Sequence, residues 1–310
     1  MTRCGFTRLV HSDWSIAPAK RWVAEARRTS SGWFVDAPRP VGLLDDFLKD
    51  LLGLPQPTLA GFDFPIGVPA AYARKANVSR FTELLEVVGT GDWLEFYRVC
   101  DGDDEISLHR PFYPRVSSPK ARQAHLLDAL GFDDIDVLRR VCERQTETRK
   151  AACPLFWTLG GNQVGKAAIS GWRDVVQPAR SAVALLWPFD GDLAALSESG
   201  RLVICETYPA EAYGHVGVRF APGASKQRQA DRRAATASLL TRSFKYGILF
   251  SDAMRGALAD GFGPLKRGED PFDAALGLLG MIEVVDGRRA AAPTFIEEVD
   301  SEGWILGQAA

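Results

Sequence analysis

Three apolar segments of the sequence each end in an acidic residue. RLVHSD, LAGFD and LVICE end in Asp13, Asp63 and Glu206, and a turn or a helix start follows each acid. In an open α/β sheet, ligands collect beyond one set of strand ends. Carboxylates delivered there by neighbouring strands would converge, so the pattern predicts one site built by these three side chains.

A fourth acid comes from GEDPFDAALGLLGMIEVV, near the end of the sequence. Asp270 followed by Pro271 fits the N-cap and first position of a helix. Asp273 lies in the first turn of this otherwise apolar helix, and Gly277 and Gly280 would let the helix approach a sheet closely. We interpret Asp270 as the cap and Asp273 as the fourth catalytic carboxylate, and the choice between the two stays open.

Four carboxylates in one place repel each other and raise one another's pKa values. A hard divalent cation removes that cost, because Mg²⁺ and Mn²⁺ take oxygen ligands. Two such ions about 3.5–4 Å apart can activate a water and stabilise the leaving oxygen in phosphodiester cleavage. The acids therefore predict Mg²⁺ or Mn²⁺ as cofactor. The alternative for each acid alone is a solvated turn residue or a helix cap.

The elements that must position these acids follow from periodicity and turn residues. The predicted strands are 6–13, 21–28, 32–38, 58–64, 181–189 and 201–208. The predicted helices are 41–54, 226–243, 252–260 and 270–285. Between the fourth and fifth strands, about 69–180 is mostly helical and irregular. This order predicts a mixed sheet covered by helices, interrupted by a large helical insertion.

The segments that carry the acids resemble a known family. GFDFPIGVP, ETYPAEAY and EDPFDAALGLL are similar to the D-x-P-x-G, E-x-x-P-E-like and D-x-x-D-A motifs of the domain of unknown function 429 family, described as predicted RNase-H-like nucleases. The likeness covers about 6 to 288, with the motifs in family order. HSDWSIAPAKRW departs from the family by lacking the glycine commonly found beside the first acid.

The resemblance implies an α/β fold, with one RNase-H-like domain over 1–310. Its mixed sheet would have five or more strands in the order 3-2-1-4-5, with helices on both faces and the insertion at about 69–180. It implies that Asp13, Asp63, Glu206 and Asp273 are the acids of the first strand, the fourth strand, a later strand and the C-terminal helix. The same fold hosts sugar kinases and actin-like ATPases, so fold alone does not give function.

The stretch GGNQVGKA, at 160–167, fits the phosphate-loop pattern G-x-x-x-x-G-K-[ST] except at Ala167, which lacks the hydroxyl that would hold Mg²⁺. We interpret it as a Gly-rich loop at a helix N-terminus, where backbone N–H groups favour anions. The predicted substrate contacts in this loop are Gly161, Asn162, Gln163 and Lys166. The alternative is a helix entry capped by Asn162.

Basic residues cluster in segment 219–245, which holds seven Lys or Arg against one Asp. Such residues contact phosphates, and aromatic side chains among them stack on unpaired bases. Lys226 and Arg233 are the predicted backbone contacts in this segment. Lys20, in the turn after the first strand, is a further predicted phosphate contact. The alternative for all three is a solvated surface charge.

Composition bounds the class of protein. The 310 residues are 46% hydrophobic and 25% charged, as in soluble globular proteins. Five scattered cysteines without a C-x-x-C pair argue against a zinc site and a disulfide framework. No apolar run reaches the ~20 residues of a membrane span, and a cytoplasmic location is expected. A net charge of −2 gives no overall basic field.

These observations favour a divalent-metal-dependent nuclease, a hydrolase acting on phosphodiester bonds of nucleic acid, DNA or RNA. The first alternative is an ATP-dependent phosphotransferase or ATPase of the actin and hexokinase type, with FDFPIG as a phosphate loop. The second is a non-catalytic RNase-H-like binding protein. The near-neutral charge keeps both alternatives open.

Overall fold

The computed structural model describes residues 3–53, 55–117, 120–145, 150–159, 164–240, 246–264 and 268–309. The chain divides into two compact units. The first unit comprises Met1–Asp63, Ala182–Pro293 and Ile305–Ala309, and the second comprises Phe64–Ser181 and Thr294–Trp304. Within the described ranges, no helix combines the length and the apolar character needed to cross a membrane.

The first unit holds one mixed sheet, which has eight strands in the described residues. They are β1 (Arg8–Asp13), β2 (Trp22–Thr29), β3 (Gly32–Val35), β4 (Arg39–Pro40), β5 (Thr58–Phe62), β6 (Leu185–Leu186), β7 (Leu202–Glu206) and β8 (Ile248–Phe250). The order is β6-β7-β5-β1-β2-β3-β8, with β4 paired to β2. β2 is antiparallel to β1, β3 and β4, whereas β1, β5, β7 and β6 run parallel, as do β3 and β8.

The described residues also form helices, most of them short. They are α1 (Leu44–Gly53), α2 (Ala70–Lys75), α3 (Phe81–Val87), α4 (Gln123–Leu130), α5 (Val164–Gly171), α6 (Gln177–Ser181), α7 (Leu193–Ser197), α8 (Pro209–His215), α9 (Gln229–Thr236), α10 (Asp252–Asp260), α11 (Glu269–Val285) and α12 (Val299–Glu302). Single turns of 3₁₀ helix cover Pro18–Lys20, Gly91–Trp93, Asp103–Glu105, Ile135–Leu138 and Val141–Glu143, and a π-helical turn covers Trp172–Val176.

The central strands are apolar because both of their faces are covered. Every residue of β5 and β7 is buried. On β1, side chains alternate between the faces. Arg8 donates hydrogen bonds to the Asp50 carboxylate and backbone in α1 on one face, and His11 contacts the Ala274 backbone of α11 on the other. Helices therefore lie on both faces of the sheet.

Helix α11 approaches the sheet through its glycines. A Cβ at Gly277 would lie 2.2 Å from the His11 ring, and one at Gly61 of β5 would lie 2.7 Å from the Met281 sulfur. Residues 271–285 of the helix are buried throughout. This close contact fixes the N-terminal turn of α11 above the carboxyl ends of β1 and β5.

The second unit is helical and irregular. Among its described residues only isolated bridges occur, at Ser107 with Arg110 and Tyr113 with Trp157. Its core contains the buried Trp172, whose ring packs edge-on against Phe81 and Phe112. The unit spans the stretch predicted as a helical insertion at about 69–180, together with the returning segment 294–304.

The predicted mixed α/β sheet with helices is confirmed. If the two-residue strands β4 and β6 are not counted, the order is β8-β3-β2-β1-β5-β7, in which β3-β2-β1-β5-β7 stand in the order 3-2-1-4-5 and β8 is added beside β3. The strand predicted over 181–189 is wrong in extent, since only Leu185–Leu186 pairs with β7. The chain turns directly afterwards, and the Asp190 carboxylate accepts a hydrogen bond from Leu186 N at 2.7 Å.

Candidate carboxylate site

Asp13 and Asp63 meet at the carboxyl ends of two parallel strands. Ser12 of β1 is paired with Phe62 of β5, so the two acids follow at neighbouring positions. Their side chains hydrogen-bond to each other. Two carboxyl groups form such a bond only when one of them holds a proton. Trp14 N also donates to Asp63 Oδ1 at 2.6 Å.

Asp273, the fifth residue of α11, brings a third carboxylate. The residue is only 6% exposed. Tyr213 OH in α8 donates to its Oδ1, and Lys226 Nζ donates to its Oδ2 at 2.6 Å. Lys226 Nζ also lies 3.0 Å from Glu269 Oε1. Both oxygens of Asp273 are therefore held by donors of this chain.

His11 ties the strand of Asp13 to the helix of Asp273. Its Nδ1 lies 3.0 Å from Ala274 O and its Nε2 lies 2.8 Å from Thr207 Oγ1. A carbonyl only accepts, so Nδ1 carries the proton and Nε2 accepts from the threonine hydroxyl. Burial lowers the pKa of His11 to about 3, although the bond to Ala274 opposes the shift. The neutral ring is a structural link.

The carboxylates shift one another's pKa values. Burial raises the pKa of Asp63 to about 7, against hydrogen bonds from Trp14 and Asp13 that lower it. Burial, followed by the charges of Asp63 and Asp273, raises the pKa of Asp13 well above its usual range. Burial also raises the pKa of Asp273, while Lys226 and Tyr213 act in the opposite direction. The positive charge near these carboxylates is therefore not enough to offset the effect of burial on their pKa values.

Asp270 belongs to the same acidic group. Helix α11 begins at Glu269 with Gly268 as its N-cap and without a side-chain cap, so the predicted Asp270 cap is wrong. Burial raises the pKa of Asp270 to about 6, while the charge of Lys20 lowers it. The structure thus brings the predicted Lys20, exposed in the turn after β1, within electrostatic reach of the site.

Lys226 is held in place by a residue that the sequence did not single out. The buried Arg232 donates to Lys226 O at 2.5 Å, to Gly261 O at 2.8 Å and to Gly263 O at 2.7 Å. The predicted Arg233, next in the sequence, is exposed on α9. Arg232 therefore fixes the backbone of Lys226. A phosphate contact by Arg233 stays a prediction.

Glu206 is not brought into this group. It is paired with Phe62, whereas the preceding Cys205 is paired with Gly61. Paired residues of parallel strands share a face and successive residues alternate. Thr207 bonds His11 on the α11 face, so Glu206 points to the opposite face, with Phe62. The acid is one residue out of phase with Asp63, and its predicted role as a metal ligand lacks support from this geometry.

Of the predicted loop contacts, only Lys166 is among the residues that the structure describes. Gly161, Asn162 and Gln163 are outside the described residues. Lys166 is in the second unit, where its Nζ donates to Arg115 O at 3.2 Å. A phosphate loop follows a strand directly. In the described part of the preceding segment, up to residue 159, only the isolated bridge at Trp157 occurs.

Asp13 and Asp63 are the two carboxylates of the site that could hold a divalent cation. Among the described residues, no group of three or more His, Cys, Asp or Glu side chains stands ready to hold a metal ion. Asp273 is directed to Tyr213 and Lys226 instead. Asp13 and Asp63, however, are hydrogen-bonded to each other and supply the hard oxygen donors that a divalent cation prefers.

Tyr213, Arg232 and His11 are site residues that sequence reasoning missed. His11 had a usable signal, because it lies two residues before Asp13 on the same strand and so shares its face. Tyr213 and Arg232 reach the site through tertiary packing and had no such signal.

Comparison of the chain with protein-family models, with curated proteins and with solved structures found no match. What the chain does is therefore inferred from the geometry of the carboxylate site.

Proposed function

We propose that this chain is a divalent-metal-dependent nuclease with an RNase-H-like fold, which hydrolyses phosphodiester bonds in nucleic acid. Asp13 and Asp63 are its catalytic carboxylates, and Asp273, held by Tyr213 and Lys226, is a positioning residue beside them. The observation that carries the proposal is the hydrogen bond between the Asp13 and Asp63 side chains at adjacent strand ends, within reach of the charge of Asp273. Support for the fold comes from the order 3-2-1-4-5 of strands β3-β2-β1-β5-β7, with acids at the end of β1, directly after β5 and on α11.

Mg²⁺ or Mn²⁺ would be held by Asp13 and Asp63. When bound, the cation supplies positive charge that polarises the phosphoryl group and lowers the pKa of a water. Asp63 Oδ1 is kept in position by Trp14 N, and the Asp13 strand is tied to α11 by His11. These bonds orient the two carboxylates before any ligand arrives, which is what preorganised sites require.

Lys226 acts as a positioning residue. Its Nζ lies between Asp273 and Glu269, and its side chain is 37% exposed. Burial lowers the pKa of Lys226, but the charges of Asp273 and Glu269 outweigh it and raise the pKa. The ammonium group therefore stays charged, and it lowers the pKa of Asp273 against the larger effect of burial. The exposed Lys20, beside Asp270, is the better placed contact for a substrate phosphate.

Cleavage assays test the proposal. Labelled single- and double-stranded DNA and RNA are incubated with the chain in Mg²⁺, Mn²⁺ or EDTA. We expect cleavage with either metal and none in EDTA. Asp63→Asn is expected to lower the rate about 100-fold or more. The variant loses a carboxylate that holds the cation, and the cation stabilises the charge that develops on the phosphoryl group.

The matched control is Asp133→Asn, an exposed acid in the second unit, which should cleave like the wild type. Thermal melting of Asp63→Asn checks that the variant is folded. Undiminished cleavage by folded Asp63→Asn would overturn the proposal. Metal-dependent ATP hydrolysis without oligonucleotide cleavage, lost in Asp63→Asn, would instead assign the site to the actin and hexokinase type.

A further inference from the structure

Three arginines converge on one carboxylate at the far end of the first unit. Arg28 Nη2 lies 2.6 Å from Asp286 Oδ1, Arg288 Nη1 lies 2.9 Å from Asp286 Oδ2, and Arg3 Nε lies 3.4 Å from Oδ1. Asp286 follows α11 directly as its C-cap, thirteen positions after Asp273. At 1.5 Å per helical residue, the cluster is roughly 20 Å from the carboxylate site.

The arginines line an open cleft of about 430 Å³. The turn between β2 and β3 adds the hydroxyl groups of Ser30 and Ser31 to its wall. The three guanidinium groups outnumber the Asp286 carboxylate in this lining. Positive charge remains in excess when Glu283, which lies 3.0 Å from Arg288 Nε, is also counted. The cleft is therefore cationic although the chain as a whole has a net charge of −2.

Two of the guanidinium groups are held by aromatic rings. Arg28 Cζ lies 4.1 Å from the Trp33 ring centroid, and Arg288 Cζ lies 5.1 Å from that of Tyr246. Trp33 Nε1 donates to both Asp286 oxygens at 3.2 Å. These contacts fix the planes of the guanidinium groups before binding, so less side-chain entropy is lost on binding a ligand.

We infer that this cleft is a binding site for a small phosphate-bearing anion, separate from the carboxylate site and independent of the proposed nuclease activity. Guanidinium forks match the oxygens of a phosphate, and serine hydroxyls supply further donors. The volume is that of a small-molecule site, large enough for a nucleotide. The anion would compete with Asp286 for the arginines.

Calorimetric titration tests the site, with inorganic phosphate and AMP added to the full chain at low ionic strength in EDTA. We expect both to bind the wild type. Arg288→Gln should weaken binding at least about 10-fold, the loss of one charge-assisted contact. The control is Arg98→Gln, an exposed arginine paired with Glu95 in the second unit, which should leave binding unchanged.

A second variant separates a ligand site from a structural ion cluster. Asp286→Asn removes the competing carboxylate, so it should strengthen phosphate binding about 5-fold or more. Should this variant fail to fold, Arg3→Gln replaces it, since Arg3 is 65% exposed, and weaker binding is then expected. Binding must survive in Asp63→Asn, which keeps this test distinct from that of the nuclease.

Tighter binding of AMP than of phosphate would identify a nucleotide as the occupant, and equal binding would identify the phosphate group alone. Both results support the site. The inference is overturned if neither anion binds at millimolar concentration, or if Arg288→Gln binds as well as the wild type.

Discussion

The Lys226 ammonium group opposes the effect of burial on the pKa values of Asp63 and Asp273. It forms close contacts with Asp273 and Glu269, and it lowers the pKa of Asp63 through its charge. Arg232 holds the Lys226 backbone at 2.5 Å, so the ammonium group is supported by the fold. A lysine in this position supplies one fixed positive charge to a group of five acids (Asp13, Asp63, Glu269, Asp270 and Asp273). A divalent cation would add two further positive charges to this group.

Replacing Lys226 by Met tests this role. Without the ammonium group, Asp273 and Glu269 repel each other, and we expect the free energy of unfolding in EDTA to fall by about 1–2 kcal/mol, allowing for the partial exposure of the side chain. The site also becomes more negative, so the rise in Tm on adding Mg²⁺ should exceed that of the wild type. Lys49→Met, an exposed residue of α1, is the control. An unchanged response to Mg²⁺ would contradict the assignment.

Which acids share the site depends on the face of the sheet to which each side chain points, and this face alternates along a strand. Asp13 and Asp63 were predictable, because each follows an apolar run and the two strands align in register. Glu206 satisfies the same rule of an acid at a strand end, but it is one residue out of phase and points to the other face. Residue type and position along the chain do not show this. Only the pairing register does.

At the scale of elements, α11 sets the geometry of the site through its contact with β1. Gly277 leaves room for the His11 ring, and a Cβ there would come within 2.2 Å of it. Because His11 binds Ala274 O, this contact also fixes the part of the helix that carries Asp273. The glycine, although unfavourable for the helix by itself, allows the close approach of helix and strand.

Gly277→Ala is therefore expected to destabilise the protein by on the order of 2 kcal/mol, since overpacking outweighs the gain in helix propensity. Gly256→Ala in α10 is the matched control, because no atom outside the local backbone lies within 4 Å of the added Cβ. That variant should gain up to about 1 kcal/mol. Chemical unfolding measures both. If both substitutions change the free energy of unfolding equally, the close contact between α11 and His11 would be contradicted.

The elements were predictable where their pattern is long and regular. α10 has the predicted bounds, 252–260, and α11 begins one residue before the predicted start. β4 and β8, of two and three residues, are too short to produce a periodic signal and are formed by pairing with β2 and β3. In these strands tertiary pairing decides what local sequence cannot.

At the scale of the whole molecule, the second unit is built from segments distant in sequence. Residues 294–304 return to it, and the Glu302 carboxylate accepts from Ala70 N at 2.8 Å and from Val141 N at 2.5 Å. Arg140 also donates to Glu302 O at 3.0 Å. The sequence prediction of a single insertion at about 69–180 did not include this segment. Composition and periodicity carry no information on such long-range contacts.

The free energy of unfolding should depend on pH, because the pKa values of the buried acids differ between the folded and unfolded states. Because the pKa of Asp63 is about 7 in the folded state against an ordinary 3.8, the folded protein binds more protons than the unfolded chain between these values. Asp63 therefore lowers stability progressively as pH rises through that window. His11 and His215, whose pKa values fall to about 3 and about 4 through burial, act with the opposite sign.

Comparing Asp63→Asn with the wild type in EDTA separates the carboxylate from the histidines, which both proteins share. The variant should gain stability relative to the wild type as pH rises from 4 to 7, by on the order of 2 kcal/mol after discounting for partial exposure. Urea unfolding at each pH measures the difference. Adding Mg²⁺ should remove most of it by stabilising only the wild type, because the cation replaces the shared proton. A difference that stays constant across this range would show that Asp63 titrates as an ordinary surface acid, and the cation site at Asp13 and Asp63 would then lose its physical basis.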